Sequence, residues 1–227
     1  MSHDSEFLAI FDHDGVLVDS LPYHIDAWVQ LGRREHLPIT PEFIHATFGM
    51  TNPSIFARLL GGDVDPAKIE RYGQIKEECY RDLASGKITL MDGVRPLIET
   101  LGDRGFKLAI GSSGVLPNLR MTVRECGLEG RFAAIASLED ISRGKPDPEV
   151  FLVAAKKTGV DPNRGVVFED APVGIQAAKA AGMLAVGVTT TVPGDTLYDA
   201  GADLVVNTLA QCDVDDILER LRKRRDA

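Results

Sequence analysis

The most constraining feature of the sequence is a short apolar run near its start that ends abruptly in acidic residues. Residues 7–11 read Phe-Leu-Ala-Ile-Phe, and Asp12 and Asp14 follow at once. An uninterrupted apolar run of this length is typical of a strand buried on both faces of a parallel sheet. Ligands of open α/β sheets bind at the carboxyl ends of such strands. The run therefore predicts a central strand that delivers carboxylates to a functional site.

After this run the pattern of the chain changes twice. Residues 21–88 carry apolar side chains at helical spacing and show no strand pattern, whereas later residues alternate short apolar runs with helical stretches. Strands separated by helices are joined by parallel crossovers. The sequence thus predicts an α/β fold with a doubly wound (Rossmann-like) parallel sheet core, residues 1–20 and 89–227. A small α-helical cap domain, residues 21–88, is inserted after the first strand.

Glycines, prolines and capping residues give approximate bounds for the individual elements. Asn52-Pro53 and Asp65-Pro66 each read as an N-cap followed by a proline that opens a helix. We predict helices near 22–36, 41–48, 52–61, 65–83, 94–101, 116–126, 148–155, 172–181 and 214–221, and later strands near 106–110, 132–136, 165–168, 184–188 and 204–206.

A second apolar run, residues 166–168, also ends in acids, Glu169 and Asp170. If this strand neighbours the first, and if the chain stays extended after Asp12, four carboxylates converge and repel one another. Such a cluster requires a shared proton or a divalent cation, and oxygen ligands select Mg²⁺. The alternatives are a turn with capping acids and a calcium loop, although a calcium loop would need a glutamate at a spacing that is missing.

Two other stretches suit a phosphate group. Ser112 and Ser113 follow an apolar strand and precede a helix, so their hydroxyls and the amides at the helix start are candidate donors. Lys145 lies on a stiff loop between Gly144 and Pro146. Taken alone, the first stretch could be an ordinary strand-to-helix turn and Lys145 a solvated surface residue.

Together, these segments resemble the motifs of the haloacid dehalogenase superfamily. Residues 12–20 are similar to its Asp-x-Asp-Gly-x-x-x-Asp-[Thr/Ser] nucleophile motif, Ser112 to its strand-end Ser/Thr, Lys145 to its lysine motif, and Glu169-Asp170 to its acidic metal motif. The resemblance spans nearly the whole chain. Within the superfamily it is nearest to the subgroup of β-phosphoglucomutases and sugar-phosphate phosphatases.

The resemblance implies a role for each catalytic residue. Asp12 would attack phosphorus and form an aspartyl-phosphate, while Asp14 would act as general acid and base. Ser112, with Ser113, and Lys145 would hold the phosphate oxygens. Because the acid role requires a proton near neutral pH, exclusion of water in a closed cleft is expected to raise the pKa of Asp14. An aspartate at this position also disfavours a dehalogenase, since a halide leaves without a proton.

The resemblance further implies a metal site and a substrate site. Mg²⁺ would be held by the Asp12 side chain, the Asp14 backbone carbonyl and Asp170, with Glu169 beside it. Substrate contacts are expected from the cap residues His24, Trp28, Gly49, Thr51, Asn52 and Lys76. The simpler alternatives are a histidine on an apolar helix stripe, a tryptophan in the cap core and a solvated lysine. Asn52 departs from the mutase pattern, which has an arginine there, and a neutral amide cannot replace a bidentate guanidinium.

The expected function is therefore a Mg²⁺-dependent phosphatase of small phosphorylated metabolites, sugar phosphates above all, with a β-phosphoglucomutase as the alternative. A non-catalytic signalling module is disfavoured by the insert and by the second acid. A net charge of −9 argues against nucleic acid or an anionic membrane as partner. The polar residues 1–6, the absence of a membrane-length apolar run and three scattered cysteines predict a cytoplasmic protein. We expect a monomer.

Overall fold

The computed structural model describes residues 7–61 and 65–225. Its strands are β1 (Leu8–Phe11), β2 (Lys107–Gly111), β3 (Ala134–Ala136), β4 (Gly165–Glu169), β5 (Leu184–Val188) and β6 (Leu204–Val206). They form a six-stranded sheet in the order β3-β2-β1-β4-β5-β6, and every pairing is parallel. The sheet reverses its winding direction between β1 and β4, which is where ligands of such sheets bind.

The helices connect the strands in the predicted alternation. They are α1 (Leu21–Glu35), α2 (Pro41–Thr47), α3 (Asn52–Leu60), α4 (Pro66–Ala84), α5 (Val94–Asp103), α6 (Leu116–Glu125), α7 (Glu149–Thr158), α8 (Pro172–Ala180), α9 (Gly194–Asp199) and α10 (Val214–Arg225). Helix α9 is absent from the predictions because its six residues carry one buried apolar side chain, Leu197, too few for a periodic signal.

Successive side chains of β1 enter two separate apolar clusters. Ala9 and Phe11 pack on the face covered by α5 and α10, whereas Leu8 and Ile10 pack on the face covered by α7 and α8. All four are fully buried, which explains why the run shows no polar alternation. The predicted doubly wound parallel sheet is confirmed.

The four helices α1–α4 form the cap, which has an apolar cluster of its own, including Trp28, Leu31, Ile44 and Phe56. The two chain segments that join the cap to the core lie side by side. Val18 forms an antiparallel bridge with Leu90, and the Met91 amide donates to the Leu17 carbonyl at 2.9 Å. The predicted insertion of a helical cap after the first strand is confirmed, while its limits at residues 21 and 88 stay a prediction.

Some predicted details differ from the structure. Thr51, not Asn52, caps α3, because the Thr51 hydroxyl accepts from the Ser54 amide at 3.4 Å and Asn52 is already helical. Helix α3 ends before Gly61 as predicted, and Gly62 and residues 1–6 lie outside the described residues. Within the described part of the chain, every helix is too short or too polar to cross a membrane.

Candidate active site

The carboxyl ends of β1 and β4 bring three predicted acids together. Phe11 is paired with Phe168, and the Asp12 amide donates to the Phe168 carbonyl at 3.0 Å. Asp12 therefore lies level with Glu169, and Asp170 follows. One carboxylate oxygen from each residue lies within 4.8 Å of the others, and all three side chains are buried.

Asp14, the fourth predicted acid, has a different environment. The chain turns after Asp12, where the Leu17 amide donates to the His13 carbonyl at 3.0 Å, so the extended conformation considered above is not adopted. Oδ1 of Asp14 lies 2.8 Å from His13 Nδ1, 3.2 Å from His24 Nε2, and accepts from the Ser20 hydroxyl. The Asp14 carboxylate thus contacts histidines rather than the other three acids, and the metal contact through its carbonyl stays a prediction.

Gly15 allows this turn to pack tightly on the acidic cluster. Its φ is 76°, in the region that favours glycine, and a Cβ added there would lie 2.0 Å from Oδ2 of Asp170. The same carboxylate oxygen accepts from the Thr191 hydroxyl. A side chain at position 15 would consequently displace Asp170.

Lys145 supplies the positive charge within the cluster. Its Nζ lies 3.0 Å from Oδ2 of Asp12, contacts Oε1 of Glu169, and lies 5.1 Å from the centre of the Phe151 ring. Burial opposes the ammonium charge, but the neighbouring Asp12 and Glu169 charges outweigh it and raise the pKa of Lys145. Lys145 is therefore a buried site residue and not a solvated one.

Burial and mutual repulsion raise the proton affinity of the other two acids. Burial raises the pKa of Glu169 to about 7 despite the attraction of Lys145. Burial, then the Glu169 and Asp12 charges, raise the pKa of Asp170 well above its usual range. Oε2 of Glu169 also accepts from the amides of Asp170 and Ala171, both at 3.0 Å. The oxygens of Glu169 are thus already satisfied by protein donors.

The residues present fit a hard divalent cation. Oδ1 of Asp12 is buried and lacks a hydrogen-bond partner, which is costly for a carboxylate oxygen unless something else binds it. Carboxylate oxygens of Asp12 and Asp170 are the ligand type that Mg²⁺ prefers, and the cation would relieve their repulsion. Glu169, held by Lys145 and two amides, would lie beside the ion.

The predicted phosphate contacts are present only in part. Ser112 is buried and its Oγ accepts from the Gly114 amide at 3.1 Å, while Ser113 Oγ is buried without a partner. At the start of α6 the Leu116 amide donates to the Glu139 carboxylate at 3.0 Å, the Asn118 amide donates to the Val115 carbonyl at 3.1 Å, and Pro117 has no amide hydrogen. The expectation of helix-start amides is wrong, and the two hydroxyls and Lys145 remain as candidate donors.

The electrostatics of Asp14 contradict one sequence-based expectation. Burial favours its neutral form, but the charges and hydrogen bonds of His13 and His24 outweigh burial and hold the pKa of Asp14 well below its usual range. His13 is buried, and its Nε2 lies 2.7 Å from the Thr122 hydroxyl of α6. Burial and the Lys76 charge lower the pKa of His24. Exclusion of water alone therefore does not keep Asp14 protonated.

His24 and Lys76, both in the cap, form a chain of polar contacts that ends at Asp14. The Lys76 ammonium lies 2.7 Å from Nδ1 of His24, whose other nitrogen contacts Asp14. The His24 ring stacks on Tyr80 with centroids 4.0 Å apart, and Lys76 is 2% exposed. The solvated-lysine alternative is therefore wrong for Lys76.

The other predicted cap residues have mixed environments. Trp28 packs against Phe56 in the cap core and also borders the cavity, as do Gly49 and Asn52. Thr51 instead caps α3 and lies against Gly144, where an added Cβ would be 2.7 Å from the Thr51 methyl. Thr51 supports the cap and the loop that carries Lys145, so its predicted substrate contact is not supported.

The cap and the core enclose a small cavity over the acids. It measures about 40 Å³ and is bordered by Asp12, Asp14, Ser112 and Ser113 on the core side. Because small-molecule sites measure at least about 300 Å³, a sugar phosphate requires the cap to move away from the core. This conformation is a closed one.

Several residues of the site escaped sequence reasoning. His13 and Ser20 lie within the first motif, yet nothing in the sequence indicated that they contact Asp14. Glu77 is buried between cap and core, although Lys-Glu-Glu on a helix normally indicates a solvated face. Asn118 of α6 and Thr191 are likewise polar residues whose partners come from distant segments.

Fold and site together define a class of enzyme in which a carboxylate at the end of the central strand, faced by a lysine, works beneath a helical cap. The chain belongs to the haloacid dehalogenase-like hydrolase family, whose family model matches residues 9–188. It is an enzyme of the phosphatase or phosphomutase type, and the predicted family resemblance is confirmed.

The chain is similar to named relatives over most of its length. It is 33% identical to hexitol phosphatase A of Escherichia coli over 90% of this chain and 92% of that protein. It is 31% identical to the 5-amino-6-(5-phospho-D-ribitylamino)uracil phosphatase, chloroplastic, of Arabidopsis thaliana over 92% of this chain, but spans only 56% of that protein. The crystal structure of β-phosphoglucomutase from Clostridium difficile matches with a TM-score of 0.85 and 26% identity, over 98% of this chain and 100% of the other.

Proposed function

We propose that this chain is a Mg²⁺-dependent phosphatase of small phosphorylated metabolites, sugar phosphates in particular, and that Asp12 is its nucleophile. The observation that carries the proposal is the Asp12 carboxylate. One oxygen contacts Lys145 at 3.0 Å, and the other is buried without a partner beneath a closed cap. The similarity to hexitol phosphatase A supports the same substrate class.

The reaction divides into two displacements at phosphorus. In the first, an Asp12 oxygen attacks phosphorus and the ester oxygen leaves with a proton from Asp14. In the second, water attacks the aspartyl-phosphate, Asp14 accepts the proton, and Asp12 is regenerated with release of inorganic phosphate. The low pKa of Asp14 favours its ionised form, which the second displacement requires. The first displacement requires the protonated form.

The remaining site residues would position the phosphoryl group. Lys145 and the hydroxyls of Ser112 and Ser113 can donate to the non-bridging oxygens of the phosphoryl group, which bond to phosphorus throughout both displacements. Mg²⁺, held by Asp12 and Asp170, would neutralise charge on the phosphoryl oxygens. Closure of the cap would limit the access of bulk water to the site, which would strengthen each of these interactions.

A phosphomutase is the second candidate, favoured by the similarity to the C. difficile β-phosphoglucomutase structure. Asn52 argues against it. The Asn52 amide donates to Oε1 of Glu77 at 2.7 Å and carries no charge with which to hold a second phosphate. A mutase must retain a bisphosphate intermediate, so we favour water as the acceptor.

The test is an assay of phosphate release from a panel of phosphorylated metabolites with Mg²⁺ and with EDTA. We expect Mg²⁺-dependent release that Asp12→Asn reduces by about 10³-fold or more, whereas the exposed control Asp26→Asn retains parental activity. Full activity of Asp12→Asn would refute the nucleophile assignment. Conversion of β-glucose 1-phosphate to glucose 6-phosphate, rather than to glucose and phosphate, would establish the mutase instead.

A further inference from the structure

Glu77 is the centre of a buried hydrogen-bond network between cap and core. Its Oε1 accepts from the Lys76 ammonium at 2.9 Å and from the Asn52 amide at 2.7 Å. Its Oε2 accepts from the amide of Asn118, on core helix α6, at 2.6 Å. Glu77 borders the catalytic cavity, and its residue surface is 7% exposed.

This network leaves the cap side of the cavity without a free positive charge. Among the described residues that border the cavity, Lys76 is the only lysine or arginine. Its charge is paired with Glu77, and its ammonium also contacts His24. Burial opposes ionisation of Glu77, but the charges of Lys76 and His24 outweigh it and lower the pKa of Glu77. A ligand therefore meets an ion pair, not an unpaired cation.

An outer groove shares two of its lining residues with the catalytic cavity. Asn52 and Glu77 also border this groove, which measures about 670 Å³ and lies between α3, α4 and the start of α6. Glu70, Glu78 and Glu139 line this groove, with Arg81 as its only lysine or arginine among the described residues. Arg81 already donates to Oδ1 of Asn118 at 3.1 Å. The groove repeats the charge pattern of the cavity, with acids in excess and its cation engaged.

We propose that Glu77 determines substrate specificity by rejecting leaving groups that carry a second anionic group, so that the enzyme acts on monophosphates of neutral, hydroxyl-bearing alcohols. This inference rests on the proposed phosphatase function and adds to it the charge of the leaving group. The residue acts on the end of the substrate that lies under the cap, away from Asp12.

The physical basis is that placing an anionic group of the substrate beside Glu77 is less favourable than placing a neutral group there. A carboxylate or second phosphate near Glu77 would be desolvated beside a like charge with no free cation to offset it, which disfavours its binding. A hydroxyl pays no such cost, because it can donate to the carboxylate and accept from the Asn52 amide. Discrimination should accordingly depend on charge more than on size.

Two substrate pairs that differ in one anionic group test the proposal. The first is glucitol 6-phosphate against 6-phosphogluconate, which differ only in a terminal hydroxymethyl or carboxylate. The second is fructose 1-phosphate against fructose 1,6-bisphosphate. For the parent protein with Mg²⁺, we expect kcat/KM to be at least about tenfold higher for the member of each pair that has no second anionic group.

Variants then assign the discrimination to Glu77. Glu77→Gln should reduce the ratio of the two kcat/KM values by about tenfold, whereas Asp82→Asn, the same loss of charge at an exposed position of α4, should leave it unchanged. Because both substrates are assayed on one preparation, the ratio is independent of the fraction of folded enzyme. Asn52→Arg, which places a guanidinium beside Glu77, should also reduce it.

The failure of this inference and that of the proposed function give different results. Equal kcat/KM within both pairs in the parent, or an unchanged ratio in Glu77→Gln, would overturn the role of Glu77 and leave the phosphatase intact. Absence of phosphate release from both pairs and from the whole metabolite panel would overturn the phosphatase and this inference with it.

Discussion

The ammonium nitrogen of Lys145 lies 3.0 Å from Oδ2 of Asp12, and both side chains are buried at the carboxyl end of the central strand. Lys145 also contacts Glu169. It is thus the counter-charge that allows three carboxylates to share one buried space.

Lys145→Met should destabilise the metal-free protein by about 3 kcal/mol, because removal of one partner leaves buried carboxylates uncompensated. The measurement is urea unfolding in EDTA at pH 8, with Lys156→Met, an exposed lysine of α7, as control. Addition of Mg²⁺ should restore part of the lost free energy. Equal stability of Lys145→Met and the parent would show that the cluster does not need the lysine.

The metal-free protein should lose stability as the pH rises from about 4.5 to about 7. Over this window Glu169, whose pKa is raised from 4.5 to about 7, keeps its proton in the folded chain and loses it in the unfolded chain. Since the folded chain then binds more protons, its free energy of unfolding falls with increasing pH. Urea unfolding across this range measures the slope.

Glu169→Gln should flatten this slope in part, because it removes one of the two acids of the cluster with a raised pKa and leaves Asp170. Saturating Mg²⁺ should flatten it further. If the free energy of unfolding of Glu169→Gln changes with pH as steeply as that of the parent, the pH dependence arises from other groups.

His24→Ala should shift the pH–rate profile of the phosphatase. His24 contacts Asp14 at 3.2 Å and helps to lower the pKa of that carboxylate, so its removal should raise the pKa of Asp14. If Asp14 donates the proton to the leaving oxygen, the alkaline limb of kcat/KM moves to higher pH. His45→Ala, at an exposed position of α2, is the control, and identical profiles for His24→Ala and the parent would contradict the role of Asp14.

Asn118→Ala should loosen the closed cap. The substitution removes the core donor that holds Oε2 of Glu77 at 2.6 Å and the acceptor for Arg81. We expect a loss of about 1–3 kcal/mol in the free energy of unfolding and a higher KM, since closure becomes less favourable. Asn163→Ala, at an exposed position, should change neither quantity. A parental KM in Asn118→Ala would show that closure of the cap does not depend on the contact between Asn118 and Glu77.

Those parts of the fold that depend on local pattern were predictable. The apolar run of β1 and the alternating helices and strands after residue 91 predicted the doubly wound sheet, and the acids after β1 and β4 predicted the cluster at its edge. These inferences succeed because buried parallel strands have an unmistakable composition and because their carboxyl ends meet.

The parts that escaped prediction depend on contacts between distant segments. The direction of the Asp14 carboxylate is determined by His13, which Thr122 of α6 orients, and by His24 from the cap. Glu77 is buried because α4 packs against α6, which no helical periodicity indicates. Thr51 and Asn52 both suit an N-cap, and the packing of Thr51 against Gly144 distinguishes them only in the folded chain.

The pairing of Val18 with Leu90 and of Leu17 with Met91 has a consequence for how this architecture diversifies. The chain leaves the core and returns to it at the same point, so the cap is an insertion whose two ends are adjacent. Its sequence and length can therefore change, or another lineage's cap can be transplanted, without altering the strand order beneath it. The acids at the ends of β1 and β4 can thus be retained while the cap above them changes, but a new cap must still supply a contact to Asp14 such as that of His24.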